Sequence, residues 1–178
     1  MKRCRICKEK FTPTYSTLQA TCTKPKCLLE WGRITTIKKS KRELKAIRES
    51  LKSVSQYRRE LQKVFNEFIR LRDKNQPCIS CNKQLPVKYD AGHFYSVGSY
   101  PNLRFNEDNV HAQCVECNQH KHGNLLEYSQ RLNERIGFER ASKLMIIRHE
   151  PLKLPLDQIK ELIEHYKCKV KALKRISG

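Results

Sequence analysis

Eight of the nine cysteines stand in two sets of four, Cys4/Cys7/Cys22/Cys27 and Cys78/Cys81/Cys114/Cys117, each built from closely spaced pairs. Four thiolates on two knuckles close a tetrahedral shell, so each set is expected to hold a structural Zn²⁺ with no open position. This constrains the fold severely. Both ends of each set must converge on one ion, and residues 1–33 hold too little apolar surface to stand without theirs. Cys168 is left over and is expected to be a half-buried thiol on a C-terminal helix.

Lysine and arginine total 37 against 18 aspartate and glutamate, a formal charge of +19. A surplus of that size implies a polyanionic partner, because each phosphate neutralised releases condensed counterions. Nucleic acid is the expected partner. An anionic membrane surface is the alternative, but no apolar run approaches the roughly 18 residues that a span needs. The opening MKRCRIC is already a metal-ligand pattern, so no removable leader is expected, and the chain reads as soluble and cytosolic. Reduced thiols in that compartment favour metal over a disulfide framework.

Residues 1–33 read as a small zinc module. CRIC supplies one knuckle, EKFTPTY a short hairpin, and the second knuckle leads into a helix at LLEWGRITT. The module is either a structural cap or an auxiliary nucleic-acid contact through Lys24 and Lys26. In residues 34–75, Leu44, Ile47, Leu51, Val54, Leu61, Phe65 and Phe68 recur at three- and four-residue steps, which predicts an apolar stripe. Lys38, Lys39, Lys41, Arg42, Lys45 and Arg48 crowd what remains, so this region is expected to bind DNA and to dimerise. Ser53 with Gln56 fits a capping box and predicts a break into two helices there. Residues 76–124 hold the second cysteine set. Residues 125–178 are expected to form helices at about Leu125–Ile136 and Asp157–Leu173, separated by the helix-breaking EPLKLP. The expected fold class is α+β, mostly helical.

The chemistry sits in PCISCNKQLPVKYDAGHFYSVGSYPNLRFNEDNVHAQCVECNQHKHGN. YDAGHF reads as a short strand delivering Asp90 and His93, and EDNVHAQC as a second strand or loop carrying Asn109. CVECNQHKHGN reads as a short helix stopped by Gly123. Four-residue spacing would set Asn118 and His122 on one helical face, an arrangement that holds a single divalent cation. Arg104 and Lys121 are candidate phosphate clamps, whereas His111 and His120 are read as non-catalytic.

This segment resembles an HNH (ββα-metal) endonuclease motif. The phrases FIRLRDKNQPCISC, DAGHF, LRFNEDNVHAQC and CNQHKHGN resemble those of the NinG/Rap recombination endonucleases of lambdoid phages, most fully over about residues 55–136. The resemblance implies a zinc-clamped ββα-metal nuclease core with an N-terminal zinc module and flanking basic helices. It makes His93 the general base, Asn109 the residue that orients the base-bearing loop, and Asn118 and His122 the catalytic metal positions. Gly92 departs from it, since many such motifs carry His or Asp directly before the base. Asp90 resembles instead the aspartate of the DRGH motif of related nonspecific nucleases, as a catalytic residue or metal ligand. Asn118 in place of a His suits Mg²⁺ or Mn²⁺, which prefer oxygen. The implied activity is cleavage of branched DNA, such as Holliday junctions and displaced strands, leaving 3′-hydroxyl and 5′-phosphate ends. The implied setting is a homodimer in the host-cell cytoplasm, working beside recombination-system proteins. Two other readings stand beside it: an HNH nuclease acting on ordinary duplex, restriction- or toxin-like, and a catalytically silent zinc protein that binds nucleic acid. A pure binder needs neither a base at His93 nor an open cation site at Asn118 and His122.

Overall fold

The N-terminal part of the chain folds around sulfur, with little apolar interior of its own. In the computed structural model, which describes residues 1–176, the chain divides into two units, residues 1–52 and the residues from 53 onward. The architecture is mixed α/β and mostly helical, with two small two-stranded sheets.

In the first unit the buried cluster is Cys4, Cys22 and Cys27, with Ile6, Cys7 and Phe11 packed against them. Strand β1 (Lys2–Arg3) pairs antiparallel with β2 (Lys10–Phe11), Lys2 opposite Phe11, and the Cys4–Cys7 knuckle lies in the loop between. That loop closes through Cys4 N donating to Glu9 O (2.9 Å) and Lys8 N donating to Cys4 O (3.0 Å). Helix α1 (Pro25–Ser50) opens on a proline, where a missing N–H costs nothing. Straight-chain Lys, Arg, Glu and Leu sustain it, with no glycine after Gly32. It runs uninterrupted past residue 33. Cys27 is its one buried residue, whereas Ile37, Leu44 and Ile47 are 44%, 55% and 54% exposed and Leu51 at its end is 77% exposed.

The second unit opens with α2 (Val54–Arg72), which starts on the capping box read from the sequence. Gln56 N–H donates to Ser53 Oγ (3.3 Å) and Ser53 N–H to Gln56 Oε1 (2.7 Å). Tyr57, Leu61, Phe65, Phe68 and Ile69 bury against Ile159, Ile163, Tyr166 and Val170 of α5 (Leu156–Ile176). Phe65 meets the Tyr166 ring edge-on at 5.0 Å. The single stripe expected from Leu44 to Phe68 is therefore corrected. Leu61, Phe65 and Phe68 are core because α5 covers them, while Leu44, Ile47 and Leu51 remain exposed on the other unit. Cys168, on α5, is exposed where a half-buried thiol was expected.

Strand β3 (Tyr89–His93) pairs antiparallel with β4 (Val110–Cys114), His93 opposite Val110 and Tyr89 opposite Cys114. Ala91 and Val110 reach the α2–α5 core. A second core gathers Ile79 and Leu103 with Tyr128 and Leu132 of α3 (Leu125–Ile136) and Leu144 of α4 (Phe138–Ile147). Gly137, at φ 83°, makes the turn between those helices. Helix α3 has its expected bounds. Helix α4 was not expected: its one buried residue is Leu144, too little for a periodic signal.

Candidate functional site

Both cysteine sets converge. The four sulfurs of each lie within 4.8 Å of one another. Cys78 Sγ is 3.7 Å and Cys81 Sγ 3.9 Å from Cys114 Sγ, and Cys7 Sγ is 3.8 Å from Cys22 Sγ. A tetrahedron with Zn–S arms near 2.3 Å has edges of about 3.8 Å, so both sets fit zinc. The amides of Cys114 and Cys117 point at Cys78 Sγ and Cys114 Sγ (3.4 and 3.5 Å), which favours thiolate. Four thiols this close cannot all ionise unless a cation joins them. Burial raises the Cys4 thiol, yet surrounding backbone amides bring it down to about 6, whereas burial and the neighbouring thiols push Cys27 up to about 12.

His93 ends β3, half-buried. Its Nε2 lies 3.0 Å from Arg104 O. A carbonyl only accepts, so Nε2 carries the proton and Nδ1 keeps its lone pair. Burial lowers the His93 pKa from its ordinary value by more than the Arg104 carbonyl raises it. Arg104 is itself held, its Nε donating to Gln62 Oε1 (2.6 Å) and its guanidinium 5.4 Å from the Phe105 ring. Asn109 is fully buried. It accepts from Tyr95 N (2.8 Å) and donates to Tyr95 O (3.0 Å) and Leu103 O (3.1 Å), pinning both ends of the loop that leaves His93.

The expected helix carrying Asn118 and His122 is a single π-turn, Glu116–His120, closed by Lys121 N donating to Glu116 O (2.9 Å). His122 (φ 49°), Gly123 (φ 88°) and Asn124 (φ 44°) follow in the left-handed region. Asn118 and His122 therefore do not share one helical face. Gly123 N–H donates to Cys117 O (2.9 Å) and Asn118 O (3.1 Å), which closes the backbone of the turn. Asp90 Oδ2 accepts from Asn118 Nδ2 (2.9 Å) and from Gln119 Nε2 (2.8 Å). Asp90 and His93 are three residues apart on β3, so strand alternation points them to opposite faces. His93 and His122 line one cleft. Among the described residues, groups of three or more His, Cys, Asp or Glu ligand atoms gather within 4.8 Å only at the two cysteine sets.

The remaining candidates lie at the surface or in ion pairs. Lys121 pairs with Glu116 at 2.7 Å, both exposed. Lys38, Lys39, Lys41, Arg42, Lys45 and Arg48 are all exposed on α1. Lys24 pairs with Glu9, while Lys26 is exposed.

Sequence reasoning passed over Arg72 and Asp73. Buried Asp73 accepts from Arg72 Nε (2.7 Å) and Nη2 (2.9 Å) and from the Ala112 amide (2.9 Å). Arg72 also donates to Glu107 O (3.0 Å) and Val110 O (2.8 Å), so the end of α2 is fastened to β4. His111 joins them: its Nε2 donates to Asp108 O (3.1 Å) and its Nδ1 lies 3.1 Å from Arg72 Nη2. Both ring nitrogens are engaged, which leaves neither for proton transfer.

Fold and site together define a strongly basic protein with two zinc-fit cysteine sets, one of which clamps a β-hairpin to a π-turn. The chain belongs to the NinG family of lambdoid phages: the family model described as Bacteriophage Lambda NinG protein matches residues 1–176. It is 34% identical to protein ninG of Escherichia phage 933W over 189 residues, covering 97% of this chain and 94% of that one. It is 39% identical over 132 residues to protein ninG of Escherichia phage lambda, and equally so to that of Salmonella phage P22, each match covering 74% of this chain and 64% of the relative. No solved structure matches the chain. Among the described residues, no helix is long and apolar enough to cross a membrane.

Proposed function

We propose that the chain is a metal-dependent DNA endonuclease of the HNH type, acting on branched DNA in phage recombination as the Rap-like resemblance implies. The observation that carries this reading is the His93–Arg104 hydrogen bond. With Nε2–H donated to a main-chain carbonyl, His93 is held in the tautomer whose Nδ1 can take a proton from water. Its lowered pKa keeps that nitrogen unprotonated at neutral pH. Asn109 positions the loop that leaves His93, and Asp90 acts through Asn118. Asp90 accepts from Asn118 Nδ2, and the resemblance makes Asn118 and His122 the residues that would hold a Mg²⁺ or Mn²⁺, with His122 lining the cleft beside His93. Such a cation supplies Lewis-acid neutralisation of charge on the phosphate and the departing 3′-oxygen. Water attacking in line, with its proton passing to His93, leaves 3′-hydroxyl and 5′-phosphate ends. The cations of α1 supply sequence-independent attraction to the backbone. A two-fold dimer would present one site to each of two opposed strands at a four-way junction.

The test is cleavage of matched duplex, flap, three-way and four-way substrates with Mg²⁺ or Mn²⁺, run beside His93→Ala. Branched substrates are expected to be cut faster, and the variant to be inactive. Cleavage surviving in His93→Ala would move the base elsewhere, and no cleavage of any substrate by the unaltered chain would overturn the reading.

A further inference from the structure

Beside His93 lies a cleft of about 620 Å³ whose lining exceeds what hydrolysis needs. Along it runs a row of aromatic rings, with Phe94 and Tyr95 centred 4.7 Å apart and Tyr95 and Tyr100 5.0 Å apart. The Arg148 guanidinium stands 5.6 and 5.9 Å from the Tyr95 and Tyr100 rings. Leu125 and Leu126, in the first turn of α3, also line the cleft, although they are 50% and 74% exposed. No carboxylate is among the lining residues. Exposed leucines beside an aromatic row, with cations near and no anion, suit a flat apolar ring attached to a negatively charged chain.

We propose that this cleft holds one unpaired nucleobase of the strand that His93 attacks, an inference that rests on the nuclease reading above. The +19 charge draws every form of DNA through its phosphates, duplex included, and so cannot discriminate among them. A cleft lined by aromatic rings beside His93 can. In matched duplex every base is paired and stacked, and delivering one to the cleft costs its unpairing and unstacking. At a flap, junction or displaced strand that cost is already partly met. The cleft thereby converts distortion of the strand into correct placement of a phosphate at His93.

The experiment measures binding without added divalent cation, so that it needs no cleavage. The full chain is titrated with a thymidine octamer and with an abasic octamer of equal length and charge. The thymidine strand is expected to bind about tenfold or more tightly, within the range for one base–aromatic stack. In Tyr100→Ala, and in Leu126→Ser at a surface position that the fold does not need, the ratio should fall toward one while abasic affinity holds. Equal affinity for the two strands in the unaltered chain would overturn the proposal. So would a tenfold ratio that both variants retain, because the base would then be bound elsewhere. Failure of the nuclease reading would appear in the His93→Ala cleavage comparison and leave this ratio untouched.

Discussion

A Cβ placed on Gly92 would stand 2.1 Å from Gln113 Oε1. Gln113 is fully buried, and its Nε2 donates to Ser80 Oγ and to Gly123 O, each at 2.6 Å. The glycine before His93 therefore serves space. It lets one glutamine fasten the hairpin both to the Cys78–Cys81 knuckle and to the residues that follow the π-turn. Gly92→Ala should destabilise the chain by about 1–3 kcal/mol, the usual scale for overpacking. Gly92→Ala and Gln113→Ala together should cost less than the sum of the two. Thermal melts check this, and an unchanged melting temperature in Gly92→Ala would refute it.

Asp73 should dominate acid sensitivity. Burial alone would raise its carboxyl, but His111, Arg72 and the Ala112 amide outweigh burial and hold it well below the usual carboxylate range. A depressed folded-state pKa means stability that is fully present above the unfolded value near ~3.9 and lost as pH falls below it. Asp73→Asn should remove that acid limb from denaturation midpoints. It should also cost about 3–5 kcal/mol at neutral pH, because Arg72 is left half-buried and unpaired. An acid limb that persists in the variant would assign the effect to other carboxylates.

If the chain cleaves DNA as proposed, the acid side of its rate profile should report His93. Since burial lowers its pKa, the proton-accepting form persists below the ordinary value near ~6.5, and kcat/KM should fall only under that pH. His93→Ala should lose about 10²-fold or more in rate with little change in DNA affinity. A limb at or above the ordinary imidazole value would contradict the buried, neutral base.

Metal analysis should return about two zinc per chain, retained under mild EDTA treatment that would stop the proposed cleavage, since closed thiolate sites hold their ion while an open site exchanges it. Cys81→Ser should lose one zinc and the second unit's cooperative melt. A single zinc in the unaltered chain would remove one of the two sets.

Any dimer seam on the first unit must use the exposed face of α1, now that Leu61, Phe65 and Phe68 are accounted for as core. If the chain dimerises as proposed, Leu44→Asp with Leu51→Asp should leave it monomeric in sedimentation without altering the second unit's melt. A dimer that survives both changes would place the seam elsewhere.

What the sequence alone determined about this protein was local. The cysteine pairs announced their clusters because a tetrahedral ion accepts four ligands in few ways. Ser53 and Gln56 marked the start of α2 because a capping box closes within four residues, and YDAGHF declared a strand carrying Asp90 and His93. Tertiary structure decided the rest. One apolar stripe became two different things because α5, from the far end of the chain, covers Phe65 and Phe68 and leaves Leu44 bare. Asn118 lies in a π-turn and His122 follows it in the left-handed region, a conformation that four-residue spacing does not encode. Asp90 turned out to hold Asn118 across 28 positions and Asp73 to anchor Ala112 across 39. Hydrogen bonds over such separations leave no periodicity along the chain, because the partners are selected by packing in space.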